Sequence, residues 1–113
     1  MTEAAPVAVP TEFRGPTETI LGLYHELALA CCKHRVFTPD CPDGERSRRL
    51  LLAAGEVAER LGVAIEAAPH PPGAEGPAVR RIDLRPRGVR GFIRAAFHAD
   101  DPEWGLTWDA TAP

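Results

Sequence analysis

The chemistry available to this chain is concentrated between Val79 and Ala99, VRRIDLRPRGVRGFIRAAFHA. That stretch holds six of the thirteen Lys and Arg residues and one of the sixteen acidic residues, Asp83. It carries +5, and the other 92 residues carry −8, which gives the net charge of −3. A guanidinium offers a rigid fork of donors that matches carboxylate or phosphate oxygens. Arg81, Arg85, Arg87, Arg90 and Arg94 are therefore candidate ligands for an acidic protein partner or for phosphate. Phe92 among them supplies a plane on which a base can stack. The pI near 5.8 favours the protein partner, because domains that bind nucleic acid are usually basic as a whole. The same arginines can also pair within the chain, with the acidic C-terminal residues Asp100, Asp101, Glu103 and Asp109.

A second group of reactive types is Cys31, Cys32, His34 and Cys41, with His25 further off. Cys31 and His34 share a helical face, and Cys41 can return from the following connector. Zinc asks for four tetrahedral ligands, with paired cysteines commonly two to four residues apart. Adjacent cysteines on a helix diverge by about 100° and cannot easily hold one ion. No CxxC or HxxxH is present. The expectation is no metal and no cofactor, with Cys31, His34 and Cys41 as the only candidate ligands and buried free cysteine as the plainer reading. The odd cysteine count fits a reducing compartment.

For catalysis, His98 near Asp100 or Asp83 is the candidate acid/base group, set beside the arginines. GxSxG, a phosphate-cradling glycine loop and a nucleotide fingerprint are all missing. His70 lies in a Pro/Gly-rich loop and reads as solvated. Trp104 and Trp108, four apart on a strand, share a face. They either close the core or form an aromatic anchor for a partner.

The elements that must position these residues follow from spacing. Pro16 suits the first position of a helix and Glu18 its first turn. Ile20, Leu23, Tyr24, Leu27, Cys31 and His34 recur at three- and four-residue intervals, which predicts a helix ending near Arg35. Val36 to Asp43 is a turn-rich connector. Asp43 is the expected N-cap of a second helix over 44–61, with Gly62 as its stop. Leu50, Ala54, Val57 and Leu61 form the buried stripe, and Glu56 with Arg60 an i,i+4 pair.

Val63 to Ala67 alternates as a first strand, and a loop over 68–77 follows. The arginine stretch supplies two strands around Pro86-Arg87-Gly88, and Trp104, Leu106 and Trp108 a fourth. Ile82 and Leu84 face one way in the second strand, leaving Arg81, Asp83 and Arg85 opposite. In the third, Ile93, Ala95 and Phe97 oppose Arg90, Phe92, Arg94 and His98. The predicted fold is α+β: an N-terminal helical hairpin packed on an antiparallel sheet of three to four strands, in the order α-α-β-β-β-β. Residues 15–109 make one domain, after a flexible arm over 1–14, with a short edge strand near Val7 to Val9, and before a disordered tail over 110–113.

No apolar run is long enough to span a membrane, and no basic-then-apolar leader opens the chain. The sequence thus reads as cytoplasmic. The Ala-, Arg- and Pro-rich usage suggests a bacterial GC-rich genome. The leading expectation is a small non-catalytic interaction or regulatory protein, a homodimer, that binds an acidic partner through an arginine-rich sheet face. The alternatives are a nucleic-acid or nucleotide-phosphate binder using the same arginines, or a small enzyme or accessory subunit acting on an anionic small molecule.

Overall fold

The computed structural model describes residues 16–70 and 80–110, with side chains from residue 19 onward. The expected N-terminal arm, the Val7 to Val9 strand, loop residues 71–77 and the tail beyond Ala110 lie outside these. Helices α1 (Pro16–Lys33) and α2 (Asp43–Leu61) precede strands β1 (Ile65–Pro69), β2 (Arg81–Pro86), β3 (Phe92–Ala96) and β4 (Gly105–Asp109). The strands pair antiparallel in the order β1-β2-β3-β4. This is the α-α-β-β-β-β arrangement that the periodicities predict. No helix among the described residues is long and apolar enough to cross a membrane.

The buried stripe of α1 (Ile20, Leu23, Leu27, Ala30, Cys31) meets Leu50, Ala53, Ala54 and Val57 of α2 over Ile82, Leu84, Ile93, Ala95 and Phe97 of the sheet side. Both helices close with the same paired hydrogen bonds. Val36 N donates to Cys31 O and Arg35 N to Cys32 O, while Val63 N donates to Ala58 O and Gly62 N to Glu59 O. That closure needs a left-handed residue. Gly62 takes it at φ 68°, but in α1 Arg35 takes it at φ 57°. Ala110, placed in the tail by the sequence reading, is buried. Gly91 lies so close to this end of β4 that a Cβ there would collide with the Asp109 carbonyl oxygen.

Three local expectations change. Asp43 is not the N-cap. Pro42 occupies that position without a side-chain cap bond, and Asp43 is the first residue of α2. Glu56 and Arg60 do not pair with each other; they tie α2 to α1. Lys33 Nζ donates to Glu56 Oε2 at 2.9 Å, His34 Nε2 lies 2.8 Å from Glu56 Oε1, and Arg60 donates to the buried Glu26. Partners on the facing helix are held by packing, so they displace a pairing within one exposed helix. β1 begins two residues later than alternation suggests, at Ile65.

The largest surprise of the core is Arg46, 1% exposed. Its guanidinium donates to the carbonyls of Val36, Thr38 and Phe97 and to the Asp43 carboxylate. It also lies 4.4 Å from the Trp104 ring centre. A buried cation is tolerated only when its donors are satisfied. Here they join the α1–α2 connector, the end of β3 and the approach to β4.

Candidate functional site on the open sheet face

The helices cover one face of the sheet, and the strand register fixes what stands on the other. Asp83 pairs across from Arg94, Glu66 from Arg85, Ala68 from Asp83, Thr107 from Arg94 and Asp109 from Phe92. The polar faces of β2 and β3 therefore align, as alternation suggests, and acidic residues are interleaved with the arginines. Asp83 is 5% exposed. Arg94 Nε donates to its Oδ1 at 2.7 Å and Arg94 Nη2 to its Oδ2 at 3.1 Å. Burial pushes the Asp83 carboxyl up, but the Arg94 bonds and the neighbouring His70 outweigh it and hold the group below its ordinary value. The same bonds raise Arg94.

Arg81 is bound in the same two-pronged way. Its Nε and Nη2 donate to Asp101 Oδ2 and Oδ1 at 2.9 and 2.8 Å, and its Nη1 lies 3.6 Å from Glu103. Asp101, itself buried, is held down first by Arg81 and also accepts the Glu103 backbone N–H. Arg80 donates to Asp100. The acidic segment after β3 thus neutralises the arginines at the start of β2.

The turn end of the hairpin differs. Arg85, Arg87 and Arg90 are all exposed. Arg87 donates to the equally exposed Glu66 at 2.7 Å, and its backbone N–H to the Ala64 carbonyl at 2.8 Å. Arg90 belongs to the turn before β3, not to the strand, and makes no ion pair among the described residues. The guanidinium carbons of Arg94 and Arg85 lie 4.4 and 5.1 Å from the Phe92 ring centre. This cation–π arrangement holds two arginines against one ring.

The histidines are not where spacing alone suggests. His70, not His98, reaches Asp83, with Nδ1 at 3.6 Å from Oδ2. His98 follows the end of β3 and turns to the start of α2, where its Nδ1 stands 4.0 Å from Asp43 Oδ2. It is therefore not part of the arginine face. β3 stops at Ala96, so the strand alternation used to place His98 does not extend that far.

Cys31 and Cys41 are buried, Cys32 is exposed, and all three are free thiols. Burial, with Cys32 beside it, pushes the Cys31 thiol up to about 12. His34 is engaged by Glu56, whose carboxyl is lowered to about 2 by His34 and then Lys33. Among the described residues, no three His, Cys, Asp or Glu side chains converge on a metal position.

The tryptophans separate. Trp104 lies edge-on to Phe37, with ring centres 5.4 Å apart, and beneath Arg46. Trp108 pairs with Ile93 and so faces the helix side, yet it remains 39% exposed at the edge strand. At the opposite edge of the sheet, also on the helix side, a cleft of about 330 Å³ lies between α2 and β1, lined by Ser47, Leu51, Ala67, Ala68, Pro69, Ile82 and Phe97. Comparison of the chain with protein-family models, curated proteins and solved structures gives no match.

Proposed function

We propose that the chain is a small non-catalytic interaction protein of the cytoplasm that binds an acidic segment of a protein partner at the turn end of its open sheet face. The observation that carries this reading is the division among the arginines. Arg81 and Arg94 are forked onto buried aspartates, whereas Arg85, Arg87 and Arg90 stand exposed together around the turn. A small cluster of exposed cations on a net-acidic chain favours an acidic protein segment over a long nucleic-acid backbone. Phe92 is covered by two guanidinium groups, which withdraws its ring from base stacking and makes nucleic acid or nucleotide phosphate the weaker reading.

The test is fluorescence anisotropy with labelled poly-glutamate and with random DNA and RNA, each at two salt concentrations. The reading expects saturable poly-glutamate binding and weak, non-saturating nucleic-acid binding. Nucleic-acid affinity above that for poly-glutamate, falling steeply with salt, overturns it in favour of a phosphate-contacting surface.

We also read the chain as a homodimer. Among the described residues the terminal strands β1 and β4 have one unpaired edge each, and Leu21, Leu29, Leu51 and Leu52 are each about half exposed. Such edges and patches are usually covered in small proteins.

A further inference from the structure

The outer face of α1 is unusual for a surface helix. Its outward residues are Leu21, Gly22, His25, Ala28, Leu29 and Cys32, with Leu21 45% and Leu29 50% exposed. In a chain that is 26% charged, the only Asp, Glu, Lys or Arg residues between Thr19 and Lys33 are Glu26 and Lys33 itself. Glu26 is buried against Arg60, and Lys33 is drawn to Glu56 at the helix end. The outer face of α2 is ordinary by comparison, with Arg48 and Glu59 flanking Leu52 and Gly55. Charge is what normally keeps a helix face in water. On α1 it is missing where it would be expected.

The spacing on this face is also symmetric. Leu21 and Leu29 lie four residues either side of His25, and Gly22 and Ala28 lie three either side. Two copies of α1 crossing antiparallel about a two-fold axis at His25 therefore set each Leu21 against the partner's Leu29. Each Gly22 likewise meets the partner's Ala28, where the small side chains let the backbones approach. This is the self-complementarity that an isologous interface requires. Antiparallel packing also opposes the two helix dipoles, setting each N-terminal turn of α1 against the partner's C-terminal turn.

We infer that the occupant of this face is a second copy of the chain, and that the dimer is built on an antiparallel α1–α1 contact centred on His25. This rests on the homodimer reading and names its surface. It is independent of the arginine face, which lies across the sheet from the helices.

Light scattering on the full-length chain over a concentration series is the first measurement, repeated on Leu29→Glu and Leu21→Glu. Both sites are half exposed in the monomer, so unchanged circular dichroism is expected while the dimer dissociation constant rises about tenfold or more. Placement of the axis is tested separately in a Cys32→Ser background. There His25→Cys should self-cross-link on mild oxidation, whereas Arg48→Cys on α2 should not. A monomer at every concentration overturns the homodimer reading itself. A dimer that survives both glutamate substitutions, or that cross-links through Arg48→Cys and not His25→Cys, leaves dimerisation standing and overturns this surface.

Discussion

The middle of the β2–β3 hairpin and its turn end use the same residue type in opposite ways. Arg94 and Arg90 are four residues apart in the chain. Arg94 lies over a buried carboxylate and a phenyl ring, and Arg90 stands in solvent with no ion pair among the described residues. Arg81, at the far end of β2, resembles Arg94, and Arg46 in the core carries the same logic to full burial. An arginine-rich stretch is thus two populations. One makes structure by satisfying buried acceptors, and the other stands exposed around the turn. Count and charge cannot separate them. The register of the strands and the positions of the aspartates do.

That contrast can be broken from its structural side first. Arg46→Ala should be the most damaging substitution, destabilising by about 3–5 kcal/mol, because it strands three carbonyls and opens a cavity under Trp104. Chemical denaturation read by Trp fluorescence measures it. Asp83→Asn should cost about 3 kcal/mol, since it removes the charge that holds Arg94 on a face with limited water access; the same melt checks it. Acidification should act on the same bonds. Asp83 and Asp101 titrate below their ordinary value of 3.8 in the folded chain. Their stabilisation is present above that unfolded value and is lost as pH falls through the lower folded values. The denaturation midpoint should therefore fall on acidification below about pH 4, and Asp83→Asn should flatten that fall. From the other side, Arg87→Gln with Arg90→Gln should change stability by no more than about 0.5 kcal/mol, because both side chains are exposed.

The sequence showed the fold through periodicity. Stripes at three and four residues gave both helices, and alternation gave the strand faces, because burial of one side leaves that trace regardless of partner. Gly62 announced the end of α2, but Arg35 in the equivalent left-handed position of α1 gave no such sign. The pairing of Asp83 with Arg94 was invisible because it depends on register, which one sequence does not reveal. Arg46 did leave a signal that its charge obscured. It lies four residues before Leu50, on the same stripe as Ala53 and Val57, and a cation at an apolar position marks a buried acceptor set. Alternation puts His98 on the sheet face only if β3 continues past Ala96; the strand stops there, and the histidine near Asp83 is His70. Period-two spacing puts Trp104 and Trp108 on one face, yet only Trp104 lies between an aromatic edge and a guanidinium.

The most direct test of the division is a paired titration of poly-glutamate against the Arg87→Gln/Arg90→Gln double variant and the unmodified chain, with stability measured on the same samples. The account predicts that the double variant keeps its denaturation midpoint and loses most of its peptide affinity. Undiminished binding by a fully stable double variant would contradict it and place recognition elsewhere on the molecule.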